Sequence, residues 1–253
     1  MEGKNKKFII FKFLAISIVC AILAGAMHLE NSKNGFYADD SFACANTGKT
    51  EQSSTDFLIL VNQSNPIPED FVPDNLINLS EIVPATKSVI YFNEQASEDY
   101  YNMLLEMREH GLSDLYAISG YRTYRQQEVL FNNRVNSLDM EYEKAWAEAA
   151  RVIAPPGNSE HQTGLALDVS IRSINFALIQ RFARTPEYQW LVENSHRYGF
   201  IIRYPENKTH ITGIIFEPWH LRYVGPDHAL KIYESGLTLE EYIYTLDKKG
   251  AFS

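Results

Sequence analysis

The sequence has little cysteine, and its two cysteines lie near the N-terminus. Cys20 falls inside an apolar run and Cys44 follows it, so residues 45–253 contain none. A disulfide therefore cannot cross-link the main part of the chain. Thiolate catalysis and zinc binding by cysteine are excluded there as well.

Concentrated positive charge is also lacking beyond the N-terminus. The net charge is −9, and the acidic and basic residues are scattered along the chain. Nucleic-acid binding requires a basic face that neutralises phosphates. We therefore expect no nucleic-acid partner. The chain also lacks internal repeats and low-complexity segments, and its composition is that of a globular protein with one substantial core.

The N-terminus carries a topological signal. Lys4, Lys6 and Lys7 precede the apolar run Phe8–Met27, which Lys12 interrupts. This order predicts a signal peptide or signal anchor over residues 1–27, with the rest of the chain outside the membrane. The part after Lys12 is shorter than the roughly 20 apolar residues of a full span, so an anchor would require Lys12 to snorkel. The alternative is a buried core helix.

The next segment differs in composition. Residues 28–56 are rich in Asn, Ser, Thr, Asp and Gly, which predicts a flexible extracytoplasmic tether. Order is expected to begin at the apolar run Phe57–Val61, so we predict one domain over residues 57–253. The oligomeric state is not indicated by the sequence.

Hydrophobic spacing gives the expected elements of this domain. Helices are predicted over residues 96–110, 124–136, 140–153 and 186–198, and short helices near 227–234 and 239–246. Strands are predicted over residues 115–118, 165–170, 200–203, 211–217 and 220–224, the last two adjacent. Because helices and strands do not alternate regularly, the predicted class is α+β, a single domain with a small antiparallel sheet flanked by helices.

The first candidate group for chemistry lies after the helix-breaking Pro155-Pro156-Gly157. His161 stands in the loop SEHQTG, and Asp168 follows in an apolar strand between Leu167 and Val169. A buried, unpaired carboxylate is costly, and metal binding is one way to satisfy it. The alternative is an aspartate that faces solvent from a half-buried strand.

The second candidate group is the segment EPWH, in which Glu217 precedes His220 by three residues. Catalytic zinc is held by three protein ligands and leaves a fourth position for water. Zinc lowers the pKa of that water to about 7, and a neighbouring carboxylate can accept its proton. His161, Asp168 and His220 form a suitable ligand set for one zinc ion, with Glu217 as the base.

The third candidate is the arginine of the segment SGYR. Arg122 follows a predicted strand in a glycine-containing turn, where a guanidinium can reach across a cleft. Its fork geometry suits a carboxylate or a developing oxyanion. The alternative is a surface arginine that caps the following helix.

The three segments, taken together, resemble the sequence pattern of a known family. SGYRTYRQQ, SEHQTGLALD and EPWH occur in this order, and the chain from about Leu58 to the C-terminus resembles the VanY-type D-alanyl-D-alanine carboxypeptidases. This family includes related D,D-dipeptidases and L,D-carboxypeptidases. The resemblance implies one zinc ion and a peptidoglycan stem peptide as substrate, and the predicted leader agrees with a substrate that lies outside the membrane.

The family pattern maps onto individual residues of this chain. The resemblance implies that His161, Asp168 and His220 bind zinc and that Glu217 is the base. It also implies that Arg122 binds substrate and stabilises the tetrahedral intermediate, and that Ser159 lies near the substrate. Glu160 matches no family position and is predicted to be a loop residue. The aromatic residues Tyr121, Tyr204 and Trp219 line the pocket or belong to the core.

The expected reaction is removal of the terminal D-alanine from a peptidoglycan stem peptide. An L,D-carboxypeptidase acting on tetrapeptide stems shares these motifs, and an endopeptidase that cuts within the cross-link is a further alternative. A non-catalytic zinc module that binds cell wall is the rival from another class. It would need neither Glu217 nor Arg122.

Overall fold

The computed structural model describes residues 57–250. The predicted leader over residues 1–27 and tether over residues 28–56 lie outside the described residues. Two antiparallel sheets are present in the described range, one of two strands and one of four. The strands are β1 (Leu76–Asn78), β2 (Tyr91–Asn93), β3 (Leu115–Ser119), β4 (Ala166–Ile171), β5 (Phe200–Tyr204) and β6 (Glu217–Tyr223).

The helices surround these sheets. They are α1 (Glu94–Glu109), α2 (Tyr124–Asn136), α3 (Tyr142–Ala150), α4 (Pro186–Asn194), α5 (Thr209–Thr212), α6 (Pro226–Ser235) and α7 (Leu239–Gly250). Short 3₁₀ helices connect several elements, and one of them, Glu160–Thr163, precedes β4.

Local signals explain where the principal helices start. The side chain of Asn93 accepts a hydrogen bond from the backbone of Ala96 at the start of α1. Helix α2 begins with a reciprocal capping box between Thr123 and Gln126. Such caps satisfy amide groups that have no partner within the helix, and each typically contributes about 1 kcal/mol. Helix α2 is thereby fixed directly after the segment SGYR.

The four-stranded sheet has the order β3-β4-β6-β5, so β4 and β6 are its central strands. Every residue of both strands is buried. Leu167 and Leu221 face each other across the strands and join one large apolar cluster, which also contains Tyr100 and Met103 of α1. Burial of each such side chain contributes roughly 1.5–3 kcal/mol. The core therefore supports the two strands from one face.

Two smaller apolar clusters complete the packing. Phe131 and Ala149 belong to the cluster that joins α2 to α3. Val224, Ile232 and Tyr242 belong to the cluster that joins α6 and α7 to the end of the sheet. No helix among residues 57–250 is long and apolar enough to cross a membrane.

The predicted α+β class with a small antiparallel sheet is confirmed, but one pair of strands was wrongly placed. This region contains one strand, β6 (Glu217–Tyr223), while residues 211–216 comprise the end of the short helix α5 and an irregular stretch after it. Gly213 has a φ of 77° and ends that helix. The apolar residues after it pack irregularly, as shown by the Ile215 amide, which donates to the Arg151 carbonyl at 2.9 Å. The segment EPWH consequently lies inside a strand rather than between two strands.

Candidate metal centre

Asp168 and His220 are direct cross-strand partners on β4 and β6. Asp168 is 5% exposed and His220 is 4% exposed. The Nδ1 atom of His220 lies 3.1 Å from Oδ1 of Asp168. Ala166 and Ser170, which alternate with Asp168 along β4, are fully buried. Asp168 therefore does not face solvent, and the pairing of the central strands brings a carboxylate and an imidazole together.

His161 reaches the same place from the 3₁₀ helix before β4. Its Nδ1 lies 2.7 Å from the carbonyl oxygen of Gly120, and its Nε2 lies 3.2 Å from Oδ2 of Asp168. Gly164 ends this helix with a φ of 72°, and a Cβ there would come 2.6 Å from a methyl group of Leu76. A side chain at position 164 would be strained for both reasons. The turn thus holds His161 beside Asp168.

The three residues together offer one metal-binding atom each. These atoms, one from each of His161, Asp168 and His220, all lie within 4.8 Å of one another, and all three residues are buried. The other ring nitrogen of His161 is already engaged with Gly120. Two imidazole nitrogens and one carboxylate oxygen form a donor set that zinc accepts, leaving a position for water or substrate. The residues present therefore fit one zinc ion.

Burial and neighbouring charges separate the pKa values of these groups. Burial, together with the charge of Arg122, lowers the pKa of His161 to about 4. Burial also acts to lower the pKa of His220, but the neighbouring carboxylates of Asp168 and Glu160 outweigh it and raise the value to about 9. Burial acts to raise the pKa of Asp168, yet the charge of His161 and hydrogen bonds hold it well below its usual range. A carboxylate and one neutral imidazole are thus present near neutral pH.

Glu217 lies at the edge of the three residues. It is 7% exposed, and its Oε2 lies 3.9 Å from Nδ1 of His220. Burial and the negative charge of Asp168 raise the pKa of Glu217 to about 8, against the opposing charges of His220 and Arg122. A carboxyl group with a pKa near neutrality is suited to both accepting and donating a proton. Glu217 therefore lies beside the donor set with a raised pKa that suits proton transfer.

Arg122 borders the centre on another side. Its backbone amide donates to the His161 carbonyl at 3.1 Å, and its Nη2 lies 3.9 Å from Oδ2 of Asp168. Burial lowers its pKa, against the charges of Asp168 and Glu217. Its buried Nε has no hydrogen-bond partner among the described residues. The guanidinium keeps donor capacity for a bound molecule and is not a surface helix cap.

These groups open onto one pocket of ≈ 270 Å³. It brings together the six predicted site residues with two of the three predicted aromatic residues; Tyr121 is not among its lining. The lining consists of Arg122, Gln127, Leu130, Val152, Ile153, Ala154, Ser159, His161, Asp168, Leu178, Tyr204, Ile214, Glu217, Trp219 and His220.

Seven residues of this lining were not predicted from the sequence. They are Gln127 and the apolar residues Leu130, Val152, Ile153, Ala154, Leu178 and Ile214. Gln127 donates from its Nε2 to the Ala154 carbonyl at 2.6 Å, and its Oε1 has no partner in residues 57–250. Gln127 belongs to the segment SGYRTYRQQ, but the sequence alone did not indicate that it lies on the face of α2 that borders the pocket. Its free Oε1 adds an acceptor to the pocket.

Glu160 was predicted to be a loop residue, and this prediction was wrong because its side chain is buried among charged partners. Glu160 is 1% exposed, and its Oε1 accepts hydrogen bonds from Arg203 at 2.7 Å and Arg222 at 2.8 Å. Its Oε2 lies 3.7 Å from Nε2 of His220. Both arginines lie within predicted apolar strands. A charged side chain in such a strand requires a buried partner of opposite charge, and this requirement was the signal that the sequence offered.

A site that fits one zinc ion on a small antiparallel sheet, with a carboxyl group and an arginine beside it, is typical of zinc peptidases. The sequence model of the VanY family, described as D-alanyl-D-alanine carboxypeptidase, matches residues 89–226. The chain belongs to this family. The predicted family and enzyme class are confirmed.

Relatives of known name agree with this membership. The chain is 34% identical over 232 residues to a D-alanyl-D-alanine carboxypeptidase of Enterococcus faecium, covering 89% of this chain and 68% of that protein. It is 40% identical over 195 residues to a D-alanyl-D-alanine carboxypeptidase of Enterococcus faecalis (strain ATCC 700802 / V583), covering 74% of this chain and 66% of the relative.

Solved structures share the fold. The LdcB LD-carboxypeptidase, whose structure concerns peptidoglycan recognition, is 39% identical with a TM-score of 0.67, covering 76% of this chain and 88% of its own. VanYB in complex with D-alanine-D-alanine is 39% identical with a TM-score of 0.64, covering 75% and 98%. A variant of the vancomycin resistance D,D-pentapeptidase VanY in complex with Zn(II) is 38% identical with a TM-score of 0.61, covering 74% and 99%.

Proposed function

We propose that this protein is a zinc-dependent D,D-carboxypeptidase that removes the terminal D-alanine from peptidoglycan stem peptides. The observation that carries the proposal is the convergence of His161, Asp168 and His220 beside Glu217 and Arg122 in one pocket. Membership of the VanY family supports the substrate class. So does the related VanYB, which is in complex with D-alanine-D-alanine.

His161, Asp168 and His220 would hold one zinc ion, which supplies a Lewis acid when bound. Glu217 would accept the proton that a water molecule loses as its oxygen bonds to the scissile carbonyl carbon. The carbon–nitrogen bond then breaks, and Glu217 returns the proton to the amine of the departing D-alanine. Glu217 is buried beside the donor set, and the charge of bound zinc would lower its raised pKa toward the working pH, which supports both transfers.

Arg122 and Ser159 would bind the substrate. The guanidinium of Arg122 lies against Asp168 with unused donor capacity, so it can donate to the oxygen that gains charge during the attack. Ser159 lies in the same pocket, two residues before His161, and is 5% exposed. A positive group and a hydroxyl in one pocket suit a peptide that ends in a carboxylate.

An L,D-carboxypeptidase that acts on tetrapeptide stems is the second candidate. The LdcB LD-carboxypeptidase has the same identity to this chain as VanYB and a similar TM-score. The shared centre therefore does not separate the two specificities. A non-catalytic zinc module that binds cell wall is less well supported, because such a module needs no base with a raised pKa.

The proposed site of action is outside the cytoplasmic membrane, where mature peptidoglycan lies. The lysines and apolar run over residues 1–27 support export or anchoring, and the polar residues 28–56 support a tether to a catalytic domain over residues 57–253. These assignments rest on the sequence.

The test is release of D-alanine by the zinc-loaded protein from two substrates. One is a pentapeptide stem that ends in D-alanyl-D-alanine, and the other is the tetrapeptide stem with one D-alanine. Release from the pentapeptide alone supports the D,D-carboxypeptidase, and release from the tetrapeptide alone supports the L,D alternative. Release from neither would contradict both and favour an endopeptidase or a binding module.

The Glu217→Ala variant is the control for the mechanism. It should keep its zinc, because Glu217 is outside the ligand set, and it should lose roughly 10²–10⁴-fold in kcat. The His161→Ala variant should lose the metal itself. Near-normal turnover by Glu217→Ala would rule out Glu217 as the base.

A further inference from the structure

The second nitrogen of His220 points away from the metal-binding atoms into a buried charge network. Its Nδ1 faces Asp168, so its Nε2 faces the opposite direction and lies 3.7 Å from Oε2 of Glu160. Within residues 57–250, neither of these two atoms has a hydrogen-bond partner. A buried donor and a buried acceptor thus face each other, and a small closure of the gap would satisfy both.

The two histidines direct different ring nitrogens toward Asp168, so they would adopt different tautomers when a metal is bound. His161 directs Nε2 toward Asp168 and uses Nδ1 to donate to the Gly120 carbonyl. His220 directs Nδ1 toward Asp168 and the other metal-binding atoms, so a metal bound through Nδ1 would leave the hydrogen of the neutral ring on Nε2. Metal-binding histidines generally donate their other ring N–H to a carboxylate or a carbonyl, which fixes the tautomer. For His220 the nearest such acceptor is Glu160.

Glu160 is itself held in place by charges on the neighbouring strands. Its Oε1 accepts from Nε of Arg203 and from Nη1 of Arg222, and all three side chains are fully buried. Arg203 also makes a bidentate pair with Glu240 of α7, at 2.9 and 2.6 Å. The two carboxylates and two guanidinium groups balance in charge. Glu160 can therefore remain ionised at this depth and present a fixed Oε2 to His220.

We propose that Glu160 is a positioning residue of the metal centre, whose Oε2 accepts the Nε2–H of His220 and fixes the ring in the tautomer that binds zinc through Nδ1. This inference rests on the zinc site proposed above. It assigns a function to a buried carboxylate that neither binds the metal nor lies in the pocket lining.

The test is the zinc affinity of the full-length Glu160→Gln variant, measured by competition with a chelator. The amide oxygen would face the donating arginines, so the amide NH₂ would face Nε2 of His220. A donor in that position favours the tautomer with hydrogen on Nδ1, which cannot bind zinc. The zinc dissociation constant should therefore rise 10–100-fold.

Glu240→Gln is the matched control. It makes the same chemical change in the same network. Glu240 contacts Arg203 rather than His220, so the contact between Glu160 and His220 stays intact. Circular dichroism of the zinc-free variants should show both folded, and Glu240→Gln should keep the zinc affinity of the unsubstituted protein. If Glu160→Gln is folded and also keeps that affinity, the proposal is overturned.

A second measurement does not depend on the stability of any variant. Nuclear magnetic resonance of the zinc-loaded, unsubstituted protein with ¹⁵N-labelled histidine should show a hydrogen on Nε2 of His220 and on Nδ1 of His161. A hydrogen on Nδ1 of His220 would contradict the proposal. Release of D-alanine separates this inference from the proposed function: zinc bound through Nδ1 without turnover would contradict the carboxypeptidase alone.

Discussion

At the residue scale, the centre contains four ionisable groups whose pKa values are spread by burial. His161 has a pKa of about 4, Glu217 about 8 and His220 about 9, while that of Asp168 lies well below its usual range. Without metal at pH 7, His220 and most Glu217 groups therefore carry a proton. Zinc must compete with these protons for the site.

The first prediction is that zinc binding at pH 7 releases between about one and two protons per site. His220 must lose the proton on Nδ1 to bind the metal, and the positive charge of zinc lowers the pKa of the nearby Glu217. Zinc affinity should accordingly rise between pH 7 and pH 9 and level off above the pKa of His220. Calorimetry of zinc binding in two buffers of different ionisation enthalpy measures the proton count. A count near zero would contradict the assigned charge states.

The second prediction concerns the guanidinium at the edge of the centre. Arg122→Ala should lower kcat by roughly 10²–10³-fold, because it removes a donor to the oxygen that gains charge. Zinc content should stay the same, since Arg122 is not a ligand. Steady-state release of D-alanine, with zinc measured by atomic absorption, tests both statements.

Arg125→Ala is the matched control for this change. Arg125 lies three residues further on, and its side chain is 79% exposed and pairs with Glu128 on the same helix. Exposed pairs of this kind contribute little, so kcat should not change. Equal losses in the two variants would indicate that the role of Arg122 is structural.

At the element scale, the centre depends on how β3, β4 and β6 are aligned. Asp168 pairs with His220 on one side and with Ser119 on the other, where the register of β3 shifts between Ala117 and Ser119. This irregularity re-aims the end of β3, so the next residue, Gly120, presents its carbonyl to His161. A change of one residue in register would turn Asp168 to the opposite face.

The third prediction follows from the turn after β3. A Cβ at Gly120 would collide with the Tyr91 carbonyl oxygen and come 2.9 Å from a methyl group of Ile90. The turn would have to shift, moving the carbonyl that holds His161. We expect Gly120→Ala to cost roughly 1–3 kcal/mol of unfolding free energy, as overpacking does. We also expect it to weaken zinc binding measurably.

Gly111→Ala provides the comparison. Gly111 has a φ of 77° but has nothing within 4 Å of its would-be Cβ, and it follows α1 away from the centre. Its substitution should cost about 1–2 kcal/mol through backbone strain alone. Its zinc affinity should match that of the unsubstituted protein. A loss of zinc affinity in Gly111→Ala equal to that in Gly120→Ala would show that destabilisation alone weakens the site.

Elements with a strong local signal were predictable from the sequence, and others were not. Helix α2 runs over 124–136 as predicted, because its cap and apolar spacing are local. The apolar run 211–216 imitated a strand, since its hydrophobic residues pack without strand pairing. The burial of Glu160 depends on Arg203 and Arg222, which are distant in sequence, so no local pattern around Glu160 could show it.

At the scale of the whole molecule, the centre is held by contacts from both ends of the described chain. Arg222, next to His220 along the same face of β6, donates from Nη2 to the carbonyls of Phe57 and Ile59, each at 2.8 Å. Glu240 of α7 pairs with Arg203 at the other end of the chain. Because these contacts meet at the buried network behind His220, zinc binding and the stability of the domain should be coupled.

The fourth prediction is therefore that zinc raises the thermal stability of the domain and that the domain does not need residues 1–50. A zinc concentration 1,000 times the dissociation constant stabilises a folded state by about 4 kcal/mol. For a domain of this size each kcal/mol raises Tm by about 2–4 °C, so the shift relative to chelator should be roughly 8–16 °C. A shortened chain that begins at Glu51 should show the same shift as the full chain, because among the described residues the contacts to the network begin at Phe57. His161→Ala should show almost no shift, since it lacks one of three ligands. A shortened chain without a cooperative transition would mean that the domain needs residues before Glu51. A zinc shift retained in His161→Ala would mean that the metal binds elsewhere.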